Sequence, residues 1–392
     1  MPSSATSLAP DAQQVQRGEY LARAGNCAGC HTARGAQPFA GGKRVDTPFG
    51  AIASANLTPD VDTGLGAWSS DDFHRALHEG RAPGGRLIVP ACPYPNFTLV
   101  TRDDSDAIHA YLRSLVPAPR VETNAQRLPF PHGLQASIAA WRLRYFTPAT
   151  LVGDAARSPE WNRGRYLVQG LGHCGACHVE RDAFGGGRAD LRTGGRMADG
   201  RWYAPSLASP DEAGVSTWST EEVIALLASG RNAHASTLGP MAEVVFRSTQ
   251  HLNDVDLRAM AVYLQSLGPS TATPPRAAAP SANGAVRASS GAKLYDEHCA
   301  DCHGKQGEGR EREAPPLAGN RAVTLAAPNN VVQVILHGGF APATPGNPRP
   351  HGMPPFGHVL DDEAVAAVAS HVRRSWGNAA GEVSTLEVLR LR

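Results

Sequence analysis

The sequence lacks an excess of charge of either sign, and it lacks any long apolar run. Lys and Arg number 37 against 36 Asp and Glu, so the formal net charge is +1. A chain this close to neutral does not supply the positive field that holds a phosphate backbone, and we exclude nucleic acid as a partner. No apolar stretch reaches the roughly 18 to 20 residues that a membrane helix needs. We therefore expect a soluble or membrane-peripheral protein.

The amino terminus lacks both a basic start and an apolar stretch. We expect that any secretory signal peptide has been removed or lies outside the sequence. Glycine and proline, in contrast, are abundant, with 41 Gly and 31 Pro among 392 residues. This composition is typical of short helices joined by long structured loops. With 42% hydrophobic and 19% charged residues, the chain also has enough apolar material for packed cores.

Six of the seven cysteines form three pairs with the same spacing and the same following residue. Residues 27–31, 174–178 and 299–303 each read Cys-x-x-Cys-His, which is the attachment pattern of c-type haem. Two thiols one helical turn apart can each reach a vinyl group of one porphyrin, and the next residue places an imidazole beside the iron. The predicted attachment residues are Cys27, Cys30, Cys174, Cys177, Cys299 and Cys302, and the predicted iron ligands next to them are His31, His178 and His303. The sequence therefore predicts three covalently bound haem c groups.

Two other uses of paired cysteines fit less well. A structural zinc site usually brings together two such pairs about 15 to 20 residues apart, whereas these pairs are far apart in the chain. A redox dithiol needs two cysteines and has no use for the following histidine. With 15 His in 392 residues, a histidine after all three pairs would arise by chance less than about once in ten thousand sequences.

A repeated helix precedes each pair and predicts three similar domains. Arg17-Gly18-Glu19-Tyr20-Leu21 corresponds to Arg163-Gly164-Arg165-Tyr166-Leu167, and the third copy is Gly291-Ala292-Lys293-Leu294-Tyr295. Apolar residues at helical spacing later in the first two units predict a closing helix. The pattern indicates an all-α protein of three tandem class I cytochrome c domains with long haem-wrapping loops.

Composition places the domain boundaries. We predict a first domain at 10–118, a connecting segment at 119–158, a second domain at 159–268, a linker at 269–290 and a third domain at 291–392 that includes a C-terminal tail. The linker prediction comes from a stretch rich in Pro, Ala and Ser. Within the connecting segment, apolar residues between 128 and 146 predict a helix that packs against a neighbour or a partner.

The second axial ligand of each iron should come from a loop after the motif. Met353 lies in His-Gly-Met-Pro-Pro, and Met241 follows Gly-Pro, so each methionine sits in a loop that proline would hold in place. We predict both as ligands, although a methionine that only fills a gap in the core is the alternative. Met260 is better explained as a core residue, and Met197 as a loop or surface residue.

The first domain has no methionine between residues 2 and 196. The one cysteine outside the three motifs, Cys92, stands in the corresponding loop before Pro93-Tyr94-Pro95, and we predict that its sulfur binds the first iron. The alternative is a buried free cysteine with the iron five-coordinate or bound by another group. His74 and His78 are alternative ligands, but their counterparts in the second domain are Ile224 and Ala228, which favours a packing or surface helix.

These segments resemble a known protein family. The chain is similar to the triheme cytochrome c subunits of bacterial membrane-associated dehydrogenases that act on alcohol, gluconate or fructose, over nearly the whole length from Arg17 to Arg392. The segments that carry the likeness include Asn56-Leu57-Thr58-Pro59-Asp60, Gly64-Leu65-Gly66-Ala67-Trp68, Trp202-Tyr203-Ala204-Pro205 and Gly239-Pro240-Met241. One departure is Cys92, since the alcohol dehydrogenase type carries Met before Pro-Tyr-Pro. A thiolate stabilises ferric iron, so the first haem is expected at a lower potential than a Met-ligated one.

The resemblance implies an electron-transfer subunit that is not itself an enzyme. Its implied partners are a catalytic dehydrogenase subunit of flavin, quinone-cofactor or molybdenum type, with or without a small third subunit, and ubiquinone or another acceptor. The implied location is the periplasm, peripheral on the outer face of the bacterial inner membrane. A thiosulfate-type redox enzyme using the Cys-ligated haem and a free electron shuttle are the alternatives. We expect Trp141, Tyr145 and Phe146, together with the tail from 383 to 392, to contact the dehydrogenase subunit or to pack between the first two domains.

Overall fold

The computed structural model describes residues 11–122, 128–187, 190–268, 284–311 and 313–392, with the side chains of 284–288 left out. This part of the chain is helix-rich, with three short antiparallel hairpins as its paired strands. No described helix is long and apolar enough to cross a membrane.

The helices and strands follow one another along the chain with these bounds. The helices are α1 Ala12–Ala24, α2 Cys27–His31, α3 Ser70–Glu79, α4 Tyr94–Phe97, α5 Arg102–Ser114, α6 Gln135–Tyr145, α7 Pro159–Arg165, α8 Thr220–Ser229, α9 Gly239–Arg247, α10 Asp254–Gln265, α11 Gly284–His298, α12 Ala300–His303, α13 Arg321–Thr324, α14 Asn329–His337, α15 Asp362–Arg374 and α16 Thr385–Leu391. The paired strands are β1 Arg44–Thr47 with β2 Gly50–Ala53, β3 Gly195–Arg196 with β4 Tyr203–Ala204, and β5 Gly339–Phe340 with β6 Gly352–Met353. Short 3-10 turns cover Pro83–Gly85, Cys174–Ala176 and Thr249–His251, and a π-helical turn covers Tyr166–Leu171.

Each helix that precedes a Cys-x-x-Cys-His motif crosses a later helix at a glycine. The crossing pairs are α1 with α5, α7 with α10, and α11 with α15. The glycines and the alanines that they touch are Gly18 with Ala107, Gly164 with Ala259, and Gly291 with Ala367. A Cβ on these glycines would lie 1.8, 1.9 and 2.3 Å, respectively, from the alanine carbonyl oxygen. The absence of a side chain therefore lets the two backbones touch, which explains why glycine recurs at this place.

An ion pair reinforces the first two crossings. Arg17 pairs with Asp104 of α5, and Arg163 pairs with Asp256 of α10 through two hydrogen bonds of 2.8 and 2.7 Å. Both aspartates are buried, so the arginine charge offsets the cost of removing each carboxylate from water. The Arg-Gly repeat seen in the sequence thus places an arginine beside each crossing glycine.

The chain divides into two compact units. Of the described residues, those from 11 to 154 and from 169 to 173 form one unit, and those from 155 to 168 and from 174 to 392 form the other. Apart from residues 169–173, the described residues of the second and third predicted domains therefore fall in the same unit. The core around the third motif consists of residues from α11 to α16, including Tyr295, Val332, Val365 and Val368.

Two predicted segments differ from expectation. Residues 269–283 of the predicted linker lie outside the described residues, but α11 begins at Gly284, within the predicted range 269–290. The last Pro of this stretch is Pro280, and the Ala-rich residues after it favour helix. The tail, expected at an interface, forms α16 instead, and Val383, Val388 and Leu391 belong to the core of the third motif's domain. These three apolar residues are buried in the chain itself, whereas Leu386 and Leu389 of the same segment are exposed.

Candidate haem sites

The three Cys-x-x-Cys-His motifs lie on short helical turns. The first motif is the whole of α2, the first three residues of the second form the 3-10 turn Cys174–Ala176, and the last four residues of the third form α12. In every motif the first cysteine is half-buried and the second is exposed. Asn26 and His173, which directly precede the first two motifs, adopt positive φ angles of 51° and 41°. This bend turns each attachment segment away from the helix before it.

The first thiol of each motif is not an activated nucleophile. Burial, together with the second cysteine of the pair, raises the pKa of Cys27 and of Cys174 to about 12 and that of Cys299 to about 11. A redox dithiol needs a cysteine with a lowered pKa. The environment of these pairs therefore argues against the redox-dithiol alternative.

The histidine of each motif makes the same contact. Its Nδ1 atom faces a backbone carbonyl oxygen of the loop that follows. His31 Nδ1 lies 2.7 Å from Ala55 O, His178 Nδ1 lies 2.7 Å from Pro205 O, and His303 Nδ1 lies 3.0 Å from Pro315 O. A carbonyl accepts only, so Nδ1 carries the proton and donates, which leaves the Nε2 lone pair for a metal. Histidines that bind metals in proteins are oriented in this way.

Burial keeps these three rings neutral. It lowers the pKa of His31, His178 and His303, and the hydrogen bond to the carbonyl offsets the effect in part. A neutral imidazole is the form that binds iron. The sequence analysis missed the carbonyl partners, which lie 24, 27 and 12 residues after the histidines. The signal that could have found them is a leucine two positions after each acceptor, at Leu57, Leu207 and Leu317.

The two predicted methionine ligands lie at the ends of short elements. Met353 closes β6, where it pairs with Gly339 of β5, and it packs half-buried against the core of the third motif's domain. Met241 lies in the first turn of α9, after Pro240, and is also half-buried. Met260 is buried within α10, as predicted for a core residue, and Met197 is half-buried in a turn.

Cys92 lies close to the first motif. The thiols of Cys27 and Cys30 are within electrostatic reach of it, and its pKa is raised to about 12 by burial and by Cys30. Its residue forms a turn in which its amide donates to Val89 O at 3.1 Å and its carbonyl accepts from Tyr94 N at 2.8 Å. The structure thus brings the seventh cysteine to the attachment cysteines 62 and 65 positions before it in the chain.

Helix α6 of the connecting segment packs on the loop that carries Cys92. The Gln135 side chain accepts from Leu87 N at 2.6 Å and donates to Leu87 O at 3.2 Å. Arg142 lies over the ring of the fully buried Tyr94, and Phe146 meets the same ring edge-on at 4.8 Å. Phe146, expected at an interface, is therefore used inside the first domain. The prediction of a helix here is confirmed, but its contact with the ligand loop was missed because nothing in the local pattern identifies the neighbour.

The two alternative histidines stand together on α3. The rings of His74 and His78 stack with centroids 5.1 Å apart. Burial, followed by His78 and Arg102, lowers the pKa of His74. Both are half-buried helix residues, and neither shares a described contact with His31 or the first cysteine pair.

The donor set at each motif fits covalent haem c. Two thiols on one turn and a neutral imidazole with Nδ1 committed to a carbonyl are the groups that attach this cofactor and bind its iron. A sulfur-bearing residue also follows each motif, at Cys92, Met241 and Met353, and Cys92 lies within electrostatic reach of the first cysteine pair.

Comparison with known proteins places these sites among cytochromes. Residues 15–116 match the family described as Cytochrome c, and residues 286–372 match the family described as Cytochrome C oxidase, cbb3-type, subunit III. One curated relative is the cytochrome c subunit of alcohol dehydrogenase (quinone) from Gluconobacter oxydans, which is 38% identical over 97% of this chain and 83% of its own length. The gluconate 2-dehydrogenase cytochrome c subunit of Pantoea cypripedii is 38% identical over 96% of this chain and 89% of its own.

Two further similarities complete the comparison. The fructose dehydrogenase cytochrome subunit of Gluconobacter japonicus is 33% identical over the full chain and 85% of its own length. Among solved structures, a thiosulfate dehydrogenase from Marichromatium purpuratum aligns over 94% of this chain and 71% of its own, at 18% identity and a TM-score of 0.20. A TM-score this low carries no argument about fold or activity.

Proposed function

Because this chain belongs to the family of cytochrome c subunits of alcohol, gluconate and fructose dehydrogenases, we propose that it holds three haem c groups in three tandem cytochrome c domains. It is an electron-transfer subunit of a dehydrogenase complex and has no catalytic role of its own. We further propose that it accepts electrons from the catalytic subunit and delivers them to ubiquinone or another respiratory acceptor.

The observation that best supports three haem groups is the contact that recurs at the three motif histidines. The same Nδ1-to-carbonyl hydrogen bond is present at His31, His178 and His303, and in each acceptor loop a leucine stands two positions after the acceptor residue. A histidine that only filled the core would not need the same orientation three times. Haem c, when bound, supplies reversible one-electron chemistry at iron.

The residues of the chain divide the work of holding this cofactor. The six motif cysteines attach it, the three motif histidines bind iron through Nε2, and the backbone carbonyls fix the rings. Cys92, Met241 and Met353 provide the sixth ligands in this proposal. If these residues hold the iron, the chain would leave no open position there for a substrate, which suits electron transfer and not turnover.

Intact-mass measurement of the mature protein tests the proposal. The mass should exceed that of the chain by three haem groups, and Cys174→Ala with Cys177→Ala should reduce the excess to two. Peptide mapping should place one haem on each motif. A wild-type protein carrying two haems or fewer after full maturation would contradict the count.

We propose that α6 and the segment before it contact the dehydrogenase subunit. The residues that support this are apolar and exposed: Leu143 is 90% and Phe130 84% exposed, whereas Trp141 and Tyr145 are half-buried against each other. Large exposed apolar side chains of this kind mark interfaces when they cluster. The other face of α6 packs on the Cys92 loop, so this surface would bring the partner to the first haem site.

Co-purification with the catalytic subunit tests this surface. Leu143→Glu should reduce the amount of dehydrogenase recovered, while Val255→Glu, at an exposed position of α10 that is 73% accessible, should not. Equal recovery with both variants would remove α6 from the interface.

The location and the acceptor also form part of the proposal. Thioether attachment requires reduced thiols and exported haem, so the mature protein belongs in the periplasm, peripheral on the inner membrane. A small third subunit is compatible with this arrangement. Fractionation that leaves the mature protein in the cytoplasm would contradict it.

A further inference from the structure

A distant asparagine holds the loop that orients the second motif's histidine. Tyr203 N donates to Asn330 Oδ1 at 2.9 Å, and Asn330 Nδ2 donates to Tyr203 O at 2.8 Å. Both residues are buried. The side-chain amide of Asn330 therefore pairs with the backbone of Tyr203 in the way a neighbouring strand would.

The residue held in this way lies two positions before the histidine's partner. Pro205 O accepts from His178 Nδ1 at 2.7 Å. On the other side of Pro205, the buried Glu212 carboxylate accepts from Ser206 N at 2.5 Å and from the Tyr203 hydroxyl at 2.9 Å. The backbone on both sides of the Pro205 carbonyl, which orients His178, is thus held by two buried polar side chains. One is Glu212, and the other is Asn330 of α14.

Asn330 is the centre of a longer set of contacts between residues 201–236 and 320–330. Asn329 Nδ2 donates to Arg201 O at 3.0 Å, and Arg321 lies over the Trp218 ring with 4.7 Å to its centroid. The backbone amide of Arg321 donates to His234 O at 2.9 Å. Since α13 and α14 belong to the core around the third motif, residues of the third predicted domain buttress the second.

The loops that carry the carbonyl partners of the other two histidines are held by contacts within the same predicted domain. After Ala55, Asn56 Nδ2 donates to Ala118 O at 2.7 Å within the first unit. After Pro315, the buried Asn378 donates to Leu317 O at 3.0 Å and accepts from Gly319 N at 2.9 Å. Asn378 thus holds the loop of the third site as Asn330 holds that of the second. Unlike Asn330, Asn378 belongs to the same predicted domain as the loop that it holds.

We propose that Asn330 is a positioning residue for the second haem site, acting on His178 through Tyr203 and Pro205. This inference rests on the proposed haem at residues 174–178. The hydrogen bond from Nδ1 to a carbonyl makes the imidazole a stronger donor to the metal. If the Pro205 carbonyl is released, that bond weakens, the oxidised iron loses stabilisation, and the midpoint potential of this one haem rises.

The test uses the mature three-haem protein and two matched asparagines. Asn330→Ala and Asn378→Ala remove buried side chains of the same type that pair with backbone. Met241→His and Met353→His, each of which changes one proposed ligand, identify the spectral and redox components of the second and third haems. The measurements are the electron paramagnetic resonance g values, which report axial ligand orientation, and a spectroelectrochemical titration.

We expect Asn330→Ala to change the g values and raise the potential of the component identified by Met241→His, and Asn378→Ala to affect the component identified by Met353→His. Asn329→Ala, which removes only the bond to Arg201, should give a smaller change in the same direction and serves if Asn330→Ala does not fold. A second-haem component that stays unchanged in both variants, or second and third components that move together, would overturn the inference. A missing haem at 174–178 in the wild type would instead overturn the proposed function.

Discussion

The crossing of α7 and α10 gives a sharp prediction about stability. Gly164→Ala places a Cβ where it would lie 1.9 Å from the carbonyl oxygen of Ala259 and 2.8 Å from Cβ of Tyr263. Non-bonded heavy atoms prefer about 3.5 to 4 Å. Because the nearest atom is backbone, it cannot move aside by a rotamer change, so the two helices must separate by more than about 1 Å.

Two opposing terms set the size of the effect. Overpacking of a tight contact costs about 3 kcal/mol at the upper end of the usual range, and we use the upper end because both helices must shift. Alanine is the better helix former by about 1 kcal/mol. The net destabilisation is therefore about 2 kcal/mol. For a domain of the length predicted at 159–268, this lowers the melting temperature by roughly 10 °C.

Thermal unfolding followed by circular dichroism and by haem absorbance measures this. Gly268→Ala is the matched control, since that glycine follows α10, a Cβ added to it would have no atom within 4 Å, and it has no positive φ. Gly268→Ala should melt within about 2 °C of the wild type. A Gly164→Ala protein that melts as the wild type does, or a control that falls by the same amount, would refute the packing argument.

Three further predictions follow from single contacts. Cys92→Met should raise the potential of the first haem by something on the order of hundreds of millivolts and leave the other two unchanged in a redox titration; if no component moves, Cys92 is not a ligand. Removal of residues 385–392 should destabilise the domain of the third motif, because Val388 is fully buried, and loss of Met353 ligation on mild heating would reveal it; an unchanged melting curve would contradict this. Arg373→Met should lower the free energy of unfolding by about 3 kcal/mol or more, because the buried guanidinium donates to the carbonyls of Val323, Leu325, Ala326 and Gly381. A chemical denaturation midpoint equal to that of the wild type would show that these carbonyls find other donors.

The sequence was sufficient for features whose chemistry is local. The attachment motif fits within one helical turn, so its spacing alone predicts where Cys27 and His31 lie relative to each other. The Arg-Gly repeat also predicted the helices before the motifs, and the crossings at Gly18 and Gly164 give its physical reason. The family relationship and the electron-transfer role, both implied by the resemblance, are confirmed by the relatives.

Contacts between distant parts of the chain were not predictable in this way. The Asn330 amide meets Tyr203 across 127 positions, and an asparagine in an apolar helix carries no sign of its partner. The tail shows a related difficulty. Apolar residues at 383, 388 and 391 indicate burial, but only the structure shows that they are buried in their own domain and not against another subunit.

The first and second motifs have similar surroundings but differ in the residue of the later loop, which is Cys92 in the first. In the first unit the crossing glycine, its neighbouring ion pair and the Nδ1 contact of His31 all match the second unit, so the scaffold around the two histidines is alike. The residue at the corresponding place of the later loop differs, being a thiol at Cys92 and a thioether at Met241. If Cys92 and Met241 are the sixth ligands, a difference in potential between the two haems would come from the ligand and from the Asn330 contact that is specific to the second site. In that case Cys92→Met should bring the potential of the first haem toward that of the second, because it replaces a thiolate by the thioether that the second site carries.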